Sequence, residues 1–370
     1  MTRRVRIGLT LAVLGVLAGV TPGVAYAQES QFGITGLGTP GRTESVRARS
    51  TGGAFAQFDS LSFLTEASLV NIGSLTATAS INTSNRDLEY PAFNTWLRTT
   101  RFPSFTLAGP VAGVFLGGGF SNYLDRTYSV VTRDSMILRG TMQPYYDQIT
   151  SDGGVSDVHL GAGFRLGRAL SIGFGVHLLP GSTKESATRL FDDSATYSAV
   201  HQIAQVRYEG YGLQASALLN LGRALSISVY GRDDSHLNQY VGDTLTNTTE
   251  LPKTVGAALM WRPSGKFRLA GSATLSTWSE AFSTASNTVN WSAGLEIGRT
   301  SPVRLGVRGG QLPFGPNGTT PTEWGASLGT GRQFAHGHGA LDLGVERLER
   351  TGEGLTEQVW SVFFGLSVRP

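Results

Sequence analysis

Apolar side chains recur at every second position along most of this chain, and that regularity restricts it to β-structure. Leu75, Ala77, Ala79 and Ile81 alternate with Ser74, Thr76, Thr78 and Ser80. Val158, Leu160, Ala162, Phe164 and Leu166 alternate with His159, Gly161, Gly163 and Arg165. Later, Trp291, Ala293, Leu295 and Ile297 oppose Ser292, Gly294 and Glu296, while Val303, Leu305 and Val307 oppose Arg304 and Arg308. The pattern persists to Trp360, Val362, Phe364, Leu366 and Val368.

The connections narrow the choice further. Tight turns read at Gly109-Pro110, Gly167-Arg168, Gly222-Arg223, Ser264-Gly265-Lys266, Ser301-Pro302 and His336-Gly337-His338. Between them lie longer polar stretches around 83–101, 132–151, 188–199, 234–250, 280–287, 313–321 and 349–356. One short side and one long side is the layout of an outer-membrane barrel, apolar toward lipid and polar within. The fold expected is all-β, a transmembrane antiparallel β-barrel of about 14 strands. Arg165, Glu296, Arg304, Arg308 and Asp342 suit a wet interior and would be costly in the core of a sandwich. The heptapeptide Leu166–Ile172 recurs verbatim as Leu221–Ile227, which suggests one hairpin design used twice.

Composition removes other classes. The 370 residues include no Cys, so neither a disulfide scaffold nor a thiolate metal centre is possible. Residues 1–27 read as a secretory signal: basic through Arg6, apolar from Ile7 to Val20, and ending in Ala25-Tyr26-Ala27. Without Arg3, Arg4 and Arg6 the basic and acidic residues balance, so no global charge favours nucleic acid. The expected organisation is a signal over 1–27, an N-terminal segment over 28–66 and a barrel over 67–370.

Residues 28–66 do not alternate, yet place Phe55, Phe58, Leu61, Phe63 and Leu64 in one short window. Such a segment needs an interior, and the barrel lumen is the one on offer, so a plug is expected. A Gly-rich segment after a signal, then Gly52-Gly53-Ala54-Phe55 with acidic Asp59 and a Leu-rich stretch, then about fourteen strands, resembles the FadL family of outer-membrane transporters. The resemblance spans the mature chain in layout and residues 33–70 in motif. The family's Asn-Pro-Ala is replaced here by Thr65-Glu66-Ala67. It implies passive uptake of long-chain fatty acids or other hydrophobic compounds across a bacterial outer membrane, after placement there by barrel-insertion machinery. It also implies a kinked third strand with a lateral gap, for which Gly117, Gly118 and Gly119 are the candidate break.

Catalytic and cofactor motifs fail on context. Gly36-Leu-Gly-Thr-Pro-Gly41 lacks the βαβ unit that holds a pyrophosphate. Gly325-Ala-Ser-Leu-Gly329 places Ser327 mid-strand, away from any strand–turn–helix elbow. His336 and His338 offer two ligands without a third. No enzyme, metal or cofactor is expected. The partners expected are a hydrophobic small molecule and membrane lipid.

For binding, apolar residues on the nominal inner face are the candidates: Leu218, Met260, Trp278 and Phe363, with Phe58 and Phe63 from the plug. Arg304 and Arg308 share one face and are placed to meet a carboxylate. Packing of plug against wall is the plainer reading of any one of them. A hydrophilic porin, or a structural barrel with partner-binding loops, is the alternative to the transporter.

Overall fold

A computed structural model describes residues 30–369 apart from 35, 63, 91, 92, 282, 316 and 317. The expected signal and the candidate Phe63 lie outside the described residues. Counting the two pieces of each interrupted strand as one, the described residues form a closed antiparallel barrel of 14 strands.

In chain order these are β1 (Thr76–Tyr90), β2 (Phe93–Arg101 and Ser104–Val111), β3 (Val114–Asp125 and Tyr128–Leu138), β4 (Thr141–Leu166) and β5 (Leu170–Leu178 and Gly181–Phe191). Then come β6 (Val200–Leu221), β7 (Leu225–Val241), β8 (Thr244–Glu250 and Lys253–Ser264), β9 (Phe267–Ser276) and β10 (Thr288–Ile297). The last are β11 (Val303–Gln311), β12 (Thr322–Phe334), β13 (Gly339–Gly352) and β14 (Leu355–Val368). Pairing of β14 with β1, from Thr356↔Glu89 to Val368↔Ala77, closes the ring.

The alternation decides which side faces out. Leu213, Val255, Trp291, Trp324 and Trp360 are each about half exposed, whereas Gln214, Glu296, Arg304, Glu323, Glu346 and Glu357 are buried. A soluble protein has the reverse distribution, and an apolar belt around a polar interior is what a bilayer-spanning barrel requires.

The turns differ from expectation in two places. Gly109 and Pro110 lie inside β2, and the chain reverses at Ala112-Gly113, both with positive φ as a type I′ hairpin demands. The polar stretches 83–101, 132–151, 234–250 and 349–356 are largely strand. Their Thr, Val and Tyr residues favour pairing, so these connections extend as ribbons where free loops were expected.

The N-terminal segment contacts the inner faces of strands on both sides of the ring. Its short helix α1 (Val46–Arg49) is capped by Ser45, whose Oγ accepts a 3.1 Å bond from the Ala48 N–H. After α1, the Thr51–Gly52 backbone lies against Gly294 and Gly306, and the Ser50 side chain against Gly329 and Gly344, on β10–β13, where any Cβ would overlap them. A second contact forms at the 3₁₀ turn Glu66–Asn71, whose backbone lies against Gly163 and Gly173 while the Glu66 side chain fills the space above Gly161 and Gly175. Glycine serves here by what it lacks, since only a bare Cα lets backbone approach backbone so closely.

A methyl group at Gly306 would meet the Thr51 backbone, whereas one at Gly231 would meet nothing within 4 Å. Gly306→Ala is therefore expected to lower stability by about 1–3 kcal/mol through overpacking, and to expose Arg47 and Arg49 to trypsin. Gly231→Ala should leave both unchanged. Equal behaviour of the two variants in denaturant titration and limited proteolysis would refute the docking.

Candidate functional site

Arginines of the N-terminal segment reach carboxylates on the wall. Arg47 donates from Nε and Nη2 to the two oxygens of Glu296, 3.0 Å each. Arg49 donates twice to Glu346 Oε2, at 3.1 and 2.8 Å, and Arg42 bonds the other oxygen. Paired, charge-assisted bonds of this kind fix orientation as well as position. The wall continues the network: Arg268 also binds Glu296 at 2.7 Å, and Arg350 joins Glu323 at 2.7 Å to Glu357 at 3.1 Å.

Arg304 and Arg308 point inward, as the period of two requires, but both are already held. Arg304 binds Glu296 at 2.9 Å and also Asp342; Arg308 pairs with Glu323. These wall carboxylates occupy the guanidinium forks that an acidic cargo would need.

The apolar candidates separate into three groups. Phe58, Leu218 and Met260 meet in one buried cluster with Phe55, beside a cavity of about 330 Å³ that also touches Arg47, Arg262 and Arg268. Trp278 belongs to a different cluster nearer the long connections, with Leu37, Leu124, Leu179, Tyr208 and Phe314; its ring meets that of Phe314 edge-on at 5.4 Å. Phe363 lies under the guanidinium of Arg49, 4.6 Å from the ring centroid.

The wall itself is interrupted. β2 and β3 pair from Val111↔Val114 as far as Ser104↔Ser121. Beyond that, Phe93–Arg101 pairs with β1 and Tyr128–Leu138 with β4, and no ladder joins the two pieces among the described residues. Pro103 stands at the corner and has no N–H to give. On β3 the register with β4 shifts between Asn122 and Leu124. There the Tyr123 hydroxyl donates to Asp234 on β7 at 2.9 Å, and Arg232 lies over its ring.

The freed edge at Leu124–Asp125 pairs instead with Thr39–Pro40 of the N-terminal segment. Arg101 crosses the opening, with Nη1 2.6 Å from Asp125 Oδ2 and Nη2 donating to Thr127 Oγ1 at 3.0 Å. A cavity of about 480 Å³ lies here, lined by Arg42, Arg86, Arg101 and Ser121 within and by exposed Phe102 and Phe120 at the rim. Gly117, Gly118 and Gly119, the expected break, are ladder-paired on both sides, with Thr106–Ala108 and with His159–Gly161. Three glycines keep their backbone partners; the interruption comes where a tyrosine is drawn inward and a proline withholds a donor. Phe102-Pro103 was the signal in the sequence.

A protein-family profile described as BamG matches residues 9–252. Among solved structures, a FadL homologue of Pseudomonas aeruginosa superposes with a TM-score of 0.61 at 15% identity, covering 90% of this chain and 99% of that one. CymD, described as a monoaromatic hydrocarbon channel, gives 0.55 at 12% identity, covering 91% and 99%. The Pseudomonas putida toluene transporter TodX gives 0.54 at 10% identity, covering 93% and 98%. At such identities the likeness establishes a shared fold. No curated protein sequence matches the chain.

Glu44, outside the strands, shows how pH bears on the segment. Burial pushes its carboxyl up, but Arg42, at 3.2 Å, and Arg308 more than offset this and hold it below the usual range. A depressed folded value means the stabilisation is fully present above the ordinary pKa near 4.5 and is lost as pH falls through the folded value. Amide exchange around residues 42–53, corrected for intrinsic rates, is expected to rise on acidification below that point. Glu44→Gln should show the raised exchange at neutral pH and a smaller acid step; an acid step of unchanged size would assign it to other carboxylates.

Proposed function

The chain belongs to the BamG family, and with that as premise we propose that it carries uncharged hydrophobic small molecules across a Gram-negative outer membrane. Release is sideways, through the opening between β2 and β3. The observation that carries this reading is the unpaired stretch of wall beyond Ser104↔Ser121, with its 480 Å³ cavity and phenylalanine rim. A water-filled pore has no use for a gap facing lipid, whereas an apolar solute gains by leaving through one, at about 25 cal/mol per Å² of surface removed from water.

Residues 28–66 act in this proposal as the plug. The cluster around Phe58, Leu218 and Met260 contributes apolar surface inside, with Phe58 also lining a second cavity of about 430 Å³ that extends toward the short turns. Trp278 and Phe314 form the apolar patch nearer the long connections, where an incoming molecule first meets the interior. The ion pairs of Arg304 and Arg308 favour a neutral cargo over a fatty acid. The toluene and monoaromatic hydrocarbon named for two structural relatives support the same class.

The test is entry of radiolabelled toluene and sucrose into cells carrying the protein or an empty vector. Toluene entry should rise several-fold while sucrose entry stays level; a parallel rise of both would favour a hydrophilic pore. The chain has no native Cys, so Phe102→Cys with Phe120→Cys can be joined selectively by a short bis-maleimide across the rim. Cross-linking should abolish most of the gain in toluene entry. Entry that survives full cross-linking would overturn the lateral route.

A further inference from the structure

The β4–β5 ladder sets His159 directly opposite His177, and next to that pair it sets Gly161 opposite Gly175. The bare glycines leave room for the Glu66 side chain, which thereby lies beside the imidazole of His177. Asp157, one inward position further along β4, completes the group: Asp157, His159 and His177 each place a ligand atom within 4.8 Å of the others. All of these side chains are at least 95% buried.

The hydrogen bonds orient the group. His177 Nδ1 lies 2.8 and 3.0 Å from the two oxygens of Asp157. With the ring proton on Nδ1, Nε2 carries the lone pair. Nε2 has no hydrogen-bond partner and points toward Glu66 Oε1, 4.0 Å away. Two ligands of a tetrahedral ion at about 2.0–2.2 Å stand about 3.3–3.6 Å apart, so closure by about half an ångström would bring both onto one ion, and the carboxylate behind the imidazole is the usual support for a metal-bound histidine.

Charge points the same way. Glu66 is 1% exposed and accepts only from neutral donors, Gln214 Nε2 and Ser216 Oγ. Arg232 is the guanidinium in this group, donating to Asp157 at 2.6 Å and to Asp234 at 2.8 Å. Three carboxylates, Glu66, Asp157 and Asp234, thus face one guanidinium, with Tyr123 adding a neutral hydroxyl. The buried excess is two negative charges, which a divalent cation would cancel.

We propose that Glu66, His177 and His159, with Asp157 orienting His177, bind one divalent cation of the zinc class. The mixed nitrogen and carboxylate donors favour zinc or a similar transition ion over calcium or magnesium. Such an ion would join the Glu66–Asn71 turn to β4 and β5, so that the N-terminal segment is fastened by a metal as well as by arginines.

The experiment uses the full chain in detergent, stripped with chelator, loaded with zinc chloride and desalted. Elemental analysis should find about one zinc per chain, and loading should slow exchange of the amides around residues 66–71. His177→Gln and Glu66→Gln should each lower retained zinc at least tenfold while migrating as heat-modifiable barrels. If both variants fail to fold, cobalt loaded into the unaltered chain should show the visible bands of a low-coordinate nitrogen–oxygen site. Substoichiometric zinc in the unaltered chain, full retention by folded variants, or a six-aquo-like cobalt spectrum would each overturn the proposal.

Discussion

How near one backbone can come to another governs the interior of this barrel. The inner wall carries two patches of glycine, on β4–β5 and on β10–β13, and the N-terminal segment lies directly upon them. With alanine in their place the segment would stand off by the width of a methyl group. Arg47 and Arg49 would then lose their paired bonds to Glu296 and Glu346, because charge-assisted hydrogen bonds decay steeply with distance and angle. Glu66 would likewise be lifted from beside the histidines. The charges supply specificity only because the glycines supply proximity.

That order of dependence explains why so many ions are tolerated where water is scarce. Burying a guanidinium or a carboxylate is costly, and a well-formed pair does little more than recover the cost. What such pairs provide is discrimination: a slip of one residue in any wall strand turns its carboxylate to lipid and leaves an arginine stranded. The cluster of Phe55, Phe58, Leu218 and Met260 contributes the favourable burial, and the ion pairs select one arrangement for it.

The sequence alone discloses the barrel and the inward direction of Leu218, Met260, Phe363, Arg304 and Arg308, because alternation is a local property. Contacts across the ring are not local. Arg304 and Arg308 read as available cations until their registers with Glu296, Asp342 and Glu323 are known. The glycines at 161, 163, 173 and 175 read as ordinary strand glycines until the ladder aligns them under Glu66. Histidines 159 and 177 look unrelated until the same ladder makes them neighbours, whereas His336 and His338 stand close in sequence. Gly117–Gly119 read as a weak point by composition, yet β-ladders tolerate glycine when both flanking strands keep their partners.

Sequence distance inside the barrel bears on the order of assembly. Ser30 bonds Glu357 across a separation of 327 residues, and α1 leans on β12, β13 and β14, the last strands to leave a ribosome. The N-terminal segment therefore cannot reach its final contacts until the last strands exist. During that interval its apolar side chains and unpaired arginines must be shielded by something other than the wall, and closure of β14 onto β1 must find the segment already on the inner side. Long-range contacts of this kind slow folding and prolong exposure of sticky surface. A barrel that encloses its own beginning therefore needs escort for longer than one that encloses only water.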